Sequence, residues 1–289
     1  AGLTLVNIAT MPGLLLGVVG GGLDDGFAGL ALLLGFAAAI CAWVGTAPFI
    51  LRKTVPVRPA APLPKSKRAR RRMKLESKPT PTTPLPRRWH FWAWAVGVVF
   101  VIFAVRSFCW LLWIDGNNLK IQSPNNLGDL SLHITYIKYF ANGVALWPEN
   151  PIHVFSSLRY PAGIDLFDSL LLLQHIDLIR ALVWTGLLGS AATFYGFYRW
   201  GGAFGVAGFL FNGGLAGFAF LRSHSFIDYQ AERIAWKSIP LTMFVTQRGL
   251  LYAIPAGLLL LIHWRRKYFP SATDEKRGIR RRLVPWWVE

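Results

Sequence analysis

Apolar runs of about 20 residues, the length of a helix that crosses a hydrocarbon core, recur along this chain near 3 to 21, 27 to 51, 91 to 114, 178 to 198, 203 to 221 and 241 to 263. With 53% hydrophobic residues and a mean hydropathy of +0.39, the chain holds more apolar material than one soluble core of 289 residues needs. The runs predict an all-α, polytopic membrane protein of about six transmembrane helices, with a large outer loop carrying amphipathic helices. Cys41 and Cys109 both fall inside apolar runs, so they read as small buried hydrophobes and not as a disulfide or metal pair.

The formal net charge of +17 would suit nucleic acid if the basic residues were spread over a soluble face. They are not: 21 of the 31 Lys and Arg lie in two segments, 52 to 88 and 265 to 282, each beside an apolar run. Basic loops retained on the cytoplasmic face explain this better, and nucleic acid is set aside. The charges place a multi-pass protein in the cytoplasmic (inner) membrane with its N-terminus inside. On this reading 52 to 88 and 265 onward lie inside, and 115 to 177 and 222 to 240 lie outside. Eight of the fourteen acids then fall in the two outer loops: Asp115, Asp129, Glu149, Asp165, Asp168, Asp177, Asp228 and Glu232.

Four regions follow: a two-helix membrane hairpin over 1 to 51, a basic proline-rich cytoplasmic linker over 52 to 88, a membrane region over 89 to 264 containing the outer loop 115 to 177, and a basic tail over 265 to 289. The first run is read as a retained span. Trp286, Trp287 and Val288 resemble the interfacial start of another helix, so a missing C-terminal half is expected. Segment 161 to 174 would invert the later topology if counted as a span. It carries Asp165 and Asp168 on one helical face with leucines opposite, and is expected to lie on the outer surface as an amphipathic interfacial helix.

Three places can carry chemistry. In GDLSLHITYIKYFANG, from 128 to 143, Asp129 and His133 are four apart and share a helical face. A carboxylate there suits a general base, and an imidazole one turn on suits phosphate binding; equally, Asp129 suits a helix cap. In WPENPIHVFSSLRYPAGID, from Trp147 to Asp165, Arg159 offers a planar fork for phosphate. The alternative there is an ordered loop whose Arg159 pairs with Glu149 or Asp165. In the last span, Arg248 follows Gln247, and an arginine at a helix centre costs roughly 2.5 to 3.5 kcal/mol on insertion scales. It therefore needs either an anionic lipid-linked ligand or an acid of the outer loops. Arg106, near the outer end of its span, can snorkel. There is no GxxxxGK[ST], CxxC or HExxH, and the glycine-rich tracts read as helix packing.

From Gly128 onward the arrangement resembles the polytopic glycosyltransferases of the GT-C superfamily, especially bacterial and archaeal members. The resemblance rests on GDLSLH with Asp129 and His133, PENP at 148 to 151, LRYP at 158 to 161 followed by Asp165, and Gln247-Arg248. It implies transfer of a sugar from a polyprenyl-phosphate-linked donor to a lipid, glycan or protein acceptor on the outer face. Asp129 matches the catalytic base of that family, with Asp115 as rival. His133, Arg159, Asp165, Gln247 and Arg248 would bind substrate. No residue is assigned as a metal ligand, although some members of the family use a divalent metal. Expected partners are membrane lipids, the lipid-linked sugar, and further protein subunits. The family usually carries around ten helices, and this chain has fewer. The alternative is a non-catalytic structural or accessory subunit of a larger membrane complex. A transporter lacks support, since no internal repeat is present.

Overall fold

A computed structural model describes residues 1–51, 87–122, 127–153, 155–212 and 239–268. Helix α1 (Gly2–Gly20) and helix α2 (Asp25–Leu51) form an antiparallel hairpin. Gly21, at φ 77°, ends α1 in the left-handed conformation that glycine adopts without penalty. Asp24 opens α2, its Oδ1 accepting from the Phe27 backbone N–H at 2.7 Å. The two helices touch where Gly35 lies against Ala9 and the Leu5 carbonyl, a small-residue contact of the kind that lets helix backbones approach.

Outside that contact the hairpin exposes Leu15, Val19, Leu33, Phe36, Ile40 and Trp43. A helix apolar on every side belongs in a core or a bilayer. Helix α3 (Arg87–Cys109) and helix α6 (Leu178–Leu210) are apolar in the same way, exposing Trp94, Val101, Trp184 and Leu188. Among the described residues four helices are thus long and apolar enough to cross a membrane: Gly2–Gly20, Asp25–Gly45, Phe91–Cys109 and Leu178–Leu210. Cys41 and Cys109, expected to be buried, are instead exposed on these helices, and both are free thiols.

Two spans differ from expectation. Residues 203 to 210 continue α6 beyond a break at Gly201 and Gly202, the latter at φ 61° and ψ −148°. The break turns the chain back, bringing the Phe209 ring to 5.0 Å from Phe197 and burying Val206. The rest of this expected span, 213 to 221, lies outside the described residues, as do Asp228, Glu232, most of the basic linker and the tail from 269. The run 241 to 263 is not one helix. A π-helical turn (Ile239–Phe244) is followed by a non-helical stretch, and helix α7 (Leu250–Tyr268) begins after it. Arg248 therefore sits just ahead of a helix and not at its centre, where its backbone N–H is free to bond elsewhere.

Between α3 and α6 the chain forms a hairpin of β1 (Leu112–Asp115) and β2 (Asn118–Ile121), helix α4 (Leu127–Ala141) and helix α5 (Gly163–Leu173). The hairpin turns at Gly116 and adds a small strand pair to the all-helical expectation. α5 overturns the surface-helix expectation: Ile164 through Leu170, both aspartates included, are all buried. It packs against α1, α2, α4 and α6. Eleven residues rise only about 16 Å, too little to cross a bilayer.

α4 joins the two apolar cores. Tyr136 and Phe140 pack with Ala9, Ala31, Leu166 and Leu170 on one side. Leu130 and Ile137 pack with Phe108, Leu182, Phe209 and Phe244 on the other. Close packing at the second core yields a prediction. A methyl at Gly186 would run into the buried Phe108 ring, whereas a methyl at Gly97 meets open space. Gly186→Ala should cost about 1 to 3 kcal/mol through overpacking, and Gly97→Ala should be neutral or stabilising by up to about 1 kcal/mol through helix propensity. Thermal unfolding in detergent should show a lowered midpoint for Gly186→Ala and an unchanged or raised one for Gly97→Ala.

Candidate functional site

Four charged or ionisable side chains meet where α4, α5 and the approach to α7 converge. His133, in α4 between the residues that pack into the two cores, is only 1% exposed. Its Nδ1 lies 2.8 and 2.9 Å from the two carboxylate oxygens of Asp165. Its Nε2 accepts from the backbone N–H of Arg248 at 3.4 Å. An accepting Nε2 leaves Nδ1 as the protonated donor, so the imidazole is held in one tautomer between α5 and the segment before α7.

Arg248 has no exposed surface. Its Nη2 donates to Asp168 Oδ2 at 3.3 Å, to the Leu182 carbonyl at 3.1 Å and to the Thr185 hydroxyl. Asp165 and Asp168 are one helical turn apart, so α5 holds both ends of a closed circuit: Asp165 to His133, His133 to the Arg248 backbone, and the Arg248 side chain to Asp168. This accounts for the burial of a helix that carries two acids. Each carboxylate finds a cationic or donor partner, which offsets part of the cost of taking it out of water. Of the two readings open for Arg248, the internal salt bridge is the one seen, to Asp168.

The circuit is not fully satisfied. Asp168 Oδ1 and Arg248 Nε and Nη1 are buried without hydrogen-bond partners among the described residues. Burial pushes the Asp168 carboxyl up to about 7; the Arg248 guanidinium opposes this and the nearby Asp165 adds to it.

The remaining expected residues stand around this circuit. Gln247 Oε1 accepts from the Tyr160 hydroxyl at 3.0 Å, tying the LRYP stretch to the segment before α7. Burial, together with the fields of Asp165 and Asp129, pushes the Tyr160 phenol up to about 12, so it stays a donor at neutral pH. Asp129 lies in the first turn of α4, partly exposed, one turn before His133. Among the described residues it accepts no hydrogen bond. Arg159 is exposed and forms no ion pair among the described residues. Its expected partner Asp165 belongs to His133, and Glu149 pairs through its backbone with Ser157. Asp115, the rival base, forms a surface ion pair with Lys120 across the β-hairpin.

The structure thus brings His133, Asp165, Gln247 and Arg248 together with Asp168, Tyr160 and Thr185, and leaves Arg159 at the surface. Sequence reasoning placed Asp168 on the outside. The clue was the arginine itself, which needed a carboxylate and had an unassigned one three residues from Asp165. Thr185 and Tyr160 carried no such signal. Among the described residues no three His, Cys, Asp or Glu side chains converge as metal ligands, so the divalent metal used by some members of the resembling family has no ligand set there.

Removing one partner of a buried pair strands the other, whereas replacing both with apolar groups need not. Asp168→Ala should cost about 3 to 5 kcal/mol, and Asp168→Leu combined with Arg248→Met should recover much of it; a double-mutant cycle on detergent unfolding measures this. A pH dependence follows as well. Asp168 holds its proton more tightly folded than unfolded, so its contribution to stability is full near pH 4 and is lost as pH rises through about 7. Asp168→Asn should flatten the melting temperature across that window. Comparison of the chain with family models, curated proteins and solved structures returns no match, so its functional reading rests on its own residues.

Proposed function

We propose that this protein is a GT-C-like transferase that moves a sugar from a polyprenyl-phosphate-linked donor to an acceptor hydroxyl at the outer membrane face, with Asp129 as general base. The observation that carries the reading is the division of labour among its acids. Asp165 and Asp168 are buried and committed to His133 and Arg248, and Asp115 is paired with Lys120. Asp129 is partly exposed and uncommitted among the described residues, on a helix anchored one turn away.

In this mechanism Asp129 takes the proton of the acceptor hydroxyl. The acceptor oxygen attacks the anomeric carbon from the face opposite the phosphate, and the carbon–oxygen bond to the phosphate breaks with inversion. The electron pair leaves with the lipid phosphate. Exposed Arg159, free of ion pairs among the described residues, is suited to neutralise that charge. Arg248, enclosed and paired, positions α5 and His133 instead. The circuit as a whole keeps Asp129 oriented by tying α4 to α5 and α7.

A second reading has its own support. Arg248 is paired within the chain, as in a structural or accessory subunit of a larger complex whose polar groups serve folding alone. The test is sugar transfer from radiolabelled polyprenyl-phosphate sugars in membranes containing the full chain. Asp129→Asn should retain the wild-type melting temperature and lose about 100- to 10,000-fold in rate, the usual contribution of a general base. Arg159→Gln should slow transfer by a smaller factor. Wild-type membranes that transfer no sugar above an empty control would sink the transferase and leave the subunit.

A further inference from the structure

A crevice of about 230 Å³ opens between α1, the start of α5 and the start of α7, beside the buried circuit. Its lining includes Asn7, Thr10, Pro161, Gly163, Gly249 and Tyr252. Three features set it apart from a packing fault. Asn7 lies within a helix long and apolar enough to cross a membrane, and its side chain is exposed there. An amide in such a span is costly unless it meets a polar partner. The crevice is also lined by the half-buried Tyr252 and, one turn on from Asn7, by Thr10, whose hydroxyl proton goes to the Val6 carbonyl, leaving its oxygen free to accept. Gly163 presents no side chain to the space, and an added Cβ would meet nothing within 4 Å.

The polarity of the walls is neutral. Asp165 and Asp168, on the same short helix, and Arg248, next to Gly249, all turn their charges into the buried circuit. What remains is an amide with donors and an acceptor, a phenol, a hydroxyl oxygen and apolar stems. The volume is below the roughly 300 to 1,000 Å³ of pockets that enclose whole ligands, so it suits one small headgroup whose tails stay in the bilayer.

We infer that this crevice is a lateral binding site for a neutral, hydroxyl-bearing lipid headgroup, entering from the bilayer between α1 and α7 and held by Asn7 and Tyr252. On the transferase reading, this lipid is the acceptor class, and that assignment rests on the reading. The binding site does not depend on it. Pro161 in its wall follows Tyr160, whose hydroxyl donates to Gln247 beside the buried circuit.

The test uses the full chain in phosphatidylcholine nanodiscs with photoactivatable dioleoylglycerol, compared with photoactivatable phosphatidylcholine and phosphatidylglycerol of the same chains, and cross-links mapped by mass spectrometry. Dioleoylglycerol should label peptides spanning 6 to 10 and 249 to 252 about tenfold more than either phospholipid, the discrimination expected of one or two buried hydrogen bonds. Asn7→Leu and Gly163→Val should abolish that preference, and Tyr252→Phe should reduce it. Asp129→Asn should keep it, because that change touches the proposed chemistry and not the crevice. If Gly163→Val lowers the melting temperature, Asn7→Leu and Tyr252→Phe decide alone. Equal labelling by all three lipids, or a preference surviving both Asn7→Leu and Tyr252→Phe, overturns the site. The predicted labelling without any sugar transfer leaves the site standing and removes the transferase.

Discussion

A guanidinium with no exposed surface has to be answered from inside the protein, and much of this architecture follows from how Arg248 is answered. Its side chain takes Asp168, the Leu182 carbonyl and Thr185, which draws α5 against α6. Its backbone N–H takes His133, which draws in α4. Asp165 then closes the circuit on the same short helix. Apolar contacts supply the bulk of the packing energy, but they are not directional. The circuit sets the rotation of α5 and α4 about their axes, because a quarter turn of either helix would leave buried charges without partners, at a cost of several kcal/mol each.

Among the described residues that circuit is incompletely satisfied. Fully hydrogen-bonded networks are rigid, whereas a carboxyl oxygen and two guanidinium nitrogens without partners leave room for rearrangement. Burial raises the Asp168 carboxyl while the Arg248 guanidinium pulls it down, so the pair is held under opposing demands. Beside it lies the break before α7, a stretch outside the helical ladder. Gln247, bonded to Tyr160, and Gly249, lining the crevice, flank Arg248 in that same stretch. Three consecutive residues, Gln247, Arg248 and Gly249, thus reach the Tyr160 hydroxyl, the buried circuit and the crevice in turn.

Charge and hydropathy made the membrane character legible at once, since lipid solvation is a bulk property that needs no knowledge of contacts. The hairpin of α1 and α2 and the spans α3 and α6 stood where their apolar runs placed them. Asp129 and His133 could be set on one helical face by spacing alone, and the need of Arg248 for a partner could be read from its cost. Two errors share one cause. Segment 161 to 174 and the run 241 to 263 were judged by composition, which reports average polarity but not which polar group meets which. Acids that look solvent-facing in sequence become core residues once an arginine 80 residues away answers them. The β-hairpin was legible but overlooked: Asp-Gly between Trp113-Ile114 and Leu119-Ile121 is a turn signal within an alternating pattern.

What the sequence determined by itself is the class of solvent this protein lives in, the place of the apolar helices α1, α2, α3 and α6, and a short list of candidate side chains. Those are properties of single segments, set by the transfer free energy of each residue and by helical periodicity. Only the tertiary structure decided which of those side chains are structural and which are available: Asp165, Asp168 and Arg248 are consumed in one another, Asp115 is taken by Lys120, and Asp129 and Arg159 remain. That choice depends on distances between residues far apart in the chain, and no local property of the sequence encodes them.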